Sequence, residues 1–369
     1  MKTFIPIQKL FLQKINSIRL LQVFFTLILL IHLFTKCTDK GVDVKPPKDP
    51  RTYSWSADTL WYSGTSQTLI YDIWGSSSKD VYFVGHSSRF DGNMWHYDGN
   101  TYSPVILSAP YEFTSIYGFS STDIYAAGER IIGYNPNPPP TFIDSSLIIH
   151  YDGTAWRKVN VYNGSSLRDI NGSSASNIIA GGRYNTLYSF NGGAWQKDSI
   201  NIQVPVGQSF HIESVNLGAS VSYLVGYRSF EDMSDLTYYF FERVNSVWTK
   251  IDSTSFAKFG EELFRSPSGT LYSVGQGGVY KYVEHSWTNI FNITSAYIYG
   301  IWGTSDTNIF IAGNFGSVYH FNGIDWQQIE AINDPQTDYY AVWTDGTEAF
   351  VAGSIFADGV QKTIVWHGK

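Results

Sequence analysis

From residue 53 onward, apolar and polar residues alternate in short runs, and no stretch carries the 3.6-residue period of an amphipathic helix. Runs such as "DVYFVG" (80–85), "DIYAAG" (123–128) and "NIFIAG" (308–313) are half-buried strands that each stop on a glycine. Each is the second half of a longer pattern. "DIWGSSSKDVYFVG" at 72–85 recurs as "SIYGFSSTDIYAAG" at 115–128, "DINGSSASNIIAGG" at 169–182 and "GIWGTSDTNIFIAG" at 300–313. Weaker copies are "ESVNLGASVSYLVG" (213–226), "LFRSPSGTLYSVG" (263–275) and "AVWTDGTEAFVAG" (341–353). The closing glycines, Gly85 to Gly353, lie about 45 residues apart on average, the period of a propeller blade.

A second half-motif follows most copies: "MWHYDGNTY", "LIIHYDGTAW", "LYSFNGGAW", "VYKYVEHSW" and "VYHFNGIDW". Asp-Gly or Asn-Gly between two apolar-aromatic runs signals a tight hairpin. Each unit therefore reads as four antiparallel strands, and seven units predict an all-β, seven-bladed β-propeller. The chain ends bear on closure. The seventh unit stops at "TIVWHGK", before its fourth strand, while "YSWSADTL" (53–60) matches the fourth strands "TAWRKVNV" (154–161) and "GAWQKDSI" (193–200). The N-terminal strand is therefore expected to complete the last blade, with the propeller domain spanning 53–369.

The units resemble the "IWGSS…DVYxVG…HYDGxxW" repeats of bacterial secreted and lipid-anchored β-propeller proteins. The resemblance covers 53–369 and is clearest in units one, two, three and six. It implies fold and location more than activity, since members of that family are mostly uncharacterised. The Trp-Asp and Gly-His signatures of WD repeats are missing, and so is the Ser-x-Asp-x-Gly-x-x-Trp box of sialidase-type propellers.

Composition agrees with an ordered β protein: 17% aromatic residues, 33 glycines and only 15% charged residues. The formal charge of −7 understates the acidity. Residues 1–36 hold five basic groups and no acid, which leaves 20 basic against 32 acidic groups in the remainder. A nucleic-acid partner, which needs a dense basic face, is excluded.

Residues 1–36 read as a signal peptide: a basic start, then the apolar run "LLQVFFTLILLIHLF" (20–34). Fifteen helical residues would rise about 22 Å, short of a bilayer core of about 30 Å. Cys37, the only cysteine, follows directly and resembles the lipid-attachment cysteine of bacterial lipoproteins, although Lys36 stands where that family has a small residue. Plain secretion and an uncleaved anchor are the alternatives. Residues 37–52 read as a polar tether to the membrane surface. A lone cysteine excludes an intrachain disulfide and a cysteine-based metal site.

Most tryptophans recur at fixed places: Trp74, Trp302 and Trp343 in the first strand, and Trp55, Trp156, Trp195, Trp248, Trp287 and Trp326 at the start of the fourth. Recurrence marks packing between blades, whereas Trp61 and Trp95 fall outside both positions and are candidates for exposed contacts. His96, His150 and His320 recur likewise on separate units, and no metal-ligand spacing or cofactor motif occurs. The acid before the second strand (Asp80, Asp123) is expected to accept turn N–H groups.

Function should lie where the units differ. The two-to-three and four-to-one connections share one face and carry the length variation, at 129–146, 227–237 and 354–362. Candidate ligand-binding residues near the channel mouth are Asp72, Arg130, Arg168, Arg183, Tyr184, Arg228, Asn314, Tyr339 and Tyr340, with Cys37 as the lipidation site. The expected function is a monomeric, non-catalytic, envelope-anchored or secreted binding propeller whose partner is an envelope protein or a glycan. The alternative is a propeller-type carbohydrate-active enzyme, which needs paired carboxylates near the channel; Glu112, Glu129, Glu213, Asp169 and Asp72 are available.

Overall fold

A computed structural model describes residues 48–369 apart from 90, 108, 138–140, 160–163 and 252–258. The signal peptide, Cys37 and most of the tether lie outside the described residues. Residues 48–52 pack on the propeller rather than standing off it. Arg51 bonds both the carboxylate and the backbone carbonyl of Asp325, and Lys48 Nζ donates to Lys369 O.

The described residues contain no α-helix, only three short 3-10 turns among β-strands. Five four-stranded antiparallel sheets and one six-stranded sheet make up the propeller. This corrects the expectation of seven separate blades: there are six sheets, because units five and six share one. A single strand, Ser286–Ser305, pairs with Leu271–Val283 through its first part and with Asn308–Gly313 through its last. The sequence permits the continuity. The "FNITSAYIYG" segment between the two units carries no proline and no glycine until Gly300. Three of the other connections between units contain Pro110, Pro205 with Gly207, or Pro335. Residues 252–258, between units four and five, also lack both residue types, so a missing breaker allows the shared strand but does not by itself impose it.

The first strands of the units are Thr68–Ser77, Tyr111–Ser120, Leu167–Ser174, Ser209–Asn216, Phe259–Arg265, the end of Ser286–Ser305, and Asp338–Thr344. The last sheet runs in the order Trp55–Leu60, Val360–Gly368, Ala349–Ala357, Asp338–Thr344, so the N-terminal strand does complete it. Trp55 pairs with Gly368 and Leu60 with Thr363. Two of the expected loop insertions are strand extensions instead. Asp123–Asn135 pairs with Thr141–Tyr151 as a long ribbon, and Ala349–Ala357 with Val360–Gly368.

The core is divided between units. Each of seven apolar clusters joins residues of two consecutive repeat units, such as Trp74 and Val84 with Phe113 and Ile116, or Tyr125 with Leu167 and Ile170. Recurrent tryptophans fill these seams: Trp74 covers Gly118 of the next unit, and Trp343 covers Gly75. Trp95 is buried, contrary to its expected exposure, and Nε1 donates to Gly92 O. Trp61 is half-exposed beneath the Lys362 ammonium.

The recurrent histidines tie third strand to second. His96, His150 and His320 pair across to Tyr82, Tyr125 and Phe310, lie against those rings, and bond Asp80, Asp123 and Asn308. His367 does the same with Phe350 and Glu348. The acid that begins the second strand therefore accepts from a histidine in preference to turn amides; Asp80 takes a second bond from Ser76 Oγ. These side chains are structural, and burial with the Arg51 charge lowers His320 to about 4.

Removing residues 53–60 would strip one strand from the closing sheet and expose Val360–Gly368 as an edge. The midpoint of thermal unfolding should fall by roughly ten degrees or more. A calorimetric trace unchanged by the deletion would contradict closure through this strand.

Candidate functional site

The repeat glycines shape the channel wall. Gly85 pairs with Ile70, Gly128 with Phe113, Gly182 with Leu167, Gly226 with Ile212, Gly275 with Phe259, Gly313 with Ile298 and Gly353 with Tyr339. Immediately after each of these pairs the first strand shifts register and bulges. A Cβ at Gly85 would lie 1.9 Å from Leu69 O, and one at Gly128 2.0 Å from Glu112 O, so only glycine admits the carbonyl that the bulge pushes across. In every unit the bulge offers an unpaired residue to the channel: Tyr71, Thr114, Arg168, Glu213, Glu261, Tyr299 and Tyr340. All seven line a cavity of about 420 Å³. The bulges sit at the starts of the first strands, so the cavity lies at the end of the channel nearest the two-to-three and four-to-one connections.

Beneath this ring, the next residue of each unit forms a belt: Asp72, Ser115, Asp169, Ser214, Glu262, Gly300 and Ala341. Its side chains fasten each unit to the one that follows. Ile116 N–H donates to Asp72 Oδ2, Ile170 N–H to Ser115 Oγ and Val215 N–H to Asp169 Oδ2. Leu263 N–H donates to Ser214 Oγ and Ile301 N–H to Glu262 Oε2. Gly300 and Ala341 have no acceptor to give. Near those junctions Trp302 Nε1 donates to Thr344 O and Ile70 N–H donates to Thr363 Oγ1.

Seven carboxyl groups and two guanidinium groups line the cavity. Burial dominates their chemistry. It pushes Asp72 up to about 7, raises Asp169, and holds Glu262 well above the usual carboxylate range with help from the Asp72 charge. Glu261 is also pushed up to about 7, by burial and then by neighbouring Glu213, while Tyr297 O–H donates to its Oε2 at 2.7 Å. Glu129 is raised mainly by burial. Arg168 donates to Glu213 Oε1 at 3.0 Å, and that carboxylate keeps it firmly protonated. Glu213 Oε2 is buried and has no hydrogen-bond partner among the described residues. His86 meets Glu112 at 3.1 Å. Tyr299 and Tyr340 lie 5.2 Å apart between ring centres, and Tyr340 and Tyr71 6.0 Å, which makes one side of the wall aromatic.

Of the candidate ligand residues, Asp72, Arg168, Arg183 and Tyr340 line this cavity. Asp72 is occupied with the amides of Ile73 and Ile116, so its role is structural. Tyr339 must be withdrawn as a contact: it is fully buried, with its hydroxyl on Ile332 O. Arg228 is held by Tyr239, Gln208 and Asp235, away from the cavity lining, and Asn314 Oδ1 accepts from Tyr297 N. Arg130 lies outside the lining. Tyr184 also lies outside it, exposed at a positive φ of 53° and 5.2 Å from His211. Sequence reasoning missed Tyr71, Thr114, Glu261 and Tyr299. Their signal was present: they stand just before the repeated "DIWG"-type step, the one place where neighbouring units differ freely in chemistry.

No family model matches the chain, and no curated protein matches it in sequence. Solved structures share the fold. YCF48 bound to a D1 peptide superposes with a TM-score of 0.59 at 18% identity, covering 88% of this chain and 98% of that one. YCF48 from Cyanidioschyzon merolae gives 0.55 at 15% identity, over 84% and 98%. The extracellular domain of BT4673 from B. thetaiotaomicron gives 0.55 at 10% identity, over 84% of this chain and 39% of that one. The chain is a β-propeller of four-stranded antiparallel blades by these likenesses as well as by its own sheets.

Gly128→Ala should cost at least about 2 kcal/mol in chemical denaturation, because the Cβ meets backbone that cannot yield. Gly193→Ala, where the new Cβ would be 3.6 Å from its nearest neighbour, is the matched control and should cost far less. Equal costs would contradict the bulge as the reason for the glycine.

The raised Asp72 pKa also has a sign. Its protonated form is favoured by folding, so its contribution is complete below the ordinary value of 3.8 and is lost as pH rises through about 7. Melting temperature should therefore fall between about pH 4 and pH 7, and fall less in Asp72→Asn. Parallel profiles for the two proteins would show that Asp72 does not titrate in that window.

Proposed function

We propose that the chain is an exported, non-catalytic interaction propeller, a member of the bacterial secreted and lipid-anchored propellers whose repeats it resembles. It is held at the cell envelope through Cys37 and engages an envelope protein or glycan at the cavity face. The observation that carries this reading is the ring of seven bulged residues. A shared backbone device presents Tyr, Thr, Arg, Glu, Glu, Tyr and Tyr to one cavity, so the scaffold is constant while the lining is particular to this chain. The likeness to a YCF48 propeller bound to a D1 peptide favours a polypeptide partner over a sugar. The likeness to the extracellular domain of BT4673 supports export.

A carbohydrate-active enzyme is the second reading, and one observation favours it. Glu261, raised to about 7, neighbours Glu213 in the cavity, and a raised acid beside a second carboxylate is the arrangement hydrolytic chemistry uses. Against it, Glu213 is already paired with Arg168, as a structural carboxylate would be.

The whole chain, purified in detergent and labelled, should bind saturably to envelope extract or to an arrayed glycan without turning it over. Tyr71→Ala together with Tyr340→Ala should abolish that binding. Binding that survives this pair of changes would move the function off the cavity face, and hydrolysis lost in Glu261→Gln would establish the enzyme.

A further inference from the structure

The bulge ring is chemically lopsided. Tyr299, Tyr340 and Tyr71 come from units six, seven and one and form a continuous aromatic wall; Glu213 and Glu261 come from the adjoining units four and five. Arg168 satisfies one oxygen of Glu213, but Oε2 stays buried without a donor, on a side chain only 11% exposed. Among the described residues, Glu261 has a tyrosine hydroxyl and no basic group bonded to it. The cavity thus has an unmet demand for hydrogen-bond donors and positive charge, beside ring faces that attract cations.

The surrounding face adds a second feature. Ile132, Tyr184, Met233, Phe315 and Phe356, on two-to-three connections, and Val206, on a four-to-one connection, are all more than half exposed. An acidic, aromatic recess on a face that also carries exposed apolar side chains suits a polypeptide segment better than a free amine or a sugar. A sugar needs no positive charge, and a small amine leaves those side chains uncovered.

We propose that the cavity receives one lysine or arginine side chain of a partner polypeptide. The charged end sits between Glu213, Glu261 and the Tyr71–Tyr340–Tyr299 wall, while apolar residues flanking it cover the exposed apolar side chains of that face. This rests on the reading that the cavity face binds a partner, and it adds the chemistry of what is bound.

The probes are peptide pools with randomised apolar flanks and a fixed central residue: arginine, lysine, citrulline, norleucine or glutamate. Each is titrated against the whole chain in detergent. Arginine and lysine pools should be retained at least about tenfold better than citrulline, which keeps arginine's shape without its charge; that factor corresponds to about 1.4 kcal/mol. Glu261→Gln should remove the preference while leaving the melting temperature and circular dichroism close to wild type. Phe315→Ser with Phe356→Ser should weaken all pools alike and keep the preference. Equal retention of arginine and citrulline overturns the cationic side chain. It leaves the interaction reading intact if envelope binding is still lost in Tyr71→Ala with Tyr340→Ala. Preference for glutamate would assign the cavity to Arg168 and Arg183 instead and overturn the proposal, as would the absence of retention by every pool.

Discussion

A carbonyl resting on a glycine shapes this channel. Where the second strand of a unit reaches its closing glycine, the first strand's backbone can move into space that any side chain would occupy. The ladder then slips by a residue and one side chain turns out towards the axis. Repeated around the ring, this local event builds a cavity wall. The residue at the bulge is free of packing duties, and so it can be Tyr in one unit and Glu in the next without disturbing the fold.

The belt just below explains why the ring can support an acidic interior. Carboxylates and serines of units one to five accept amide protons from the unit ahead, so buried acids are tied into the joints between sheets. Their desolvation is offset by these bonds only in part, which is why their pKa values climb. The field they create falls on the cavity above. Stability and cavity chemistry therefore meet in the same first strands: one residue holds the ring, its neighbour faces the cavity.

The likeness to other propellers at 10–18% identity shows how little of such a fold depends on particular side chains. Within this chain, what recurs from unit to unit is spacing: glycines opposite bulges, aromatics in the seams, and a histidine lying against the second-strand ring. The departures are equally physical. Units five and six fuse into one six-stranded sheet through the single strand Ser286–Ser305, and no proline or glycine interrupts the segment between them. Two insertions that look like loops continue as paired strands beyond the closing glycines of their units.

The sequence by itself determined the all-β repeat, the four strands of every unit outside the fused fifth and sixth, the packing role of the recurrent tryptophans and the completion of the last sheet by residues 53–60. All of these follow from periodicity, which is a property of the chain alone. It also placed Arg168, Arg183 and Tyr340 near the channel mouth. Only the tertiary structure decided which residues meet there. Tyr339 and Tyr340 are neighbours in sequence, yet one is sealed in the core and the other faces the cavity, because Tyr339 is paired with Gly353 while Tyr340 is the unpaired residue of the bulge. Tyr71, Glu213 and Glu261 come from three different units, and no local pattern states that ring closure brings them to one space. A one-residue slip in register is invisible in composition, and it settles which side chains face the cavity.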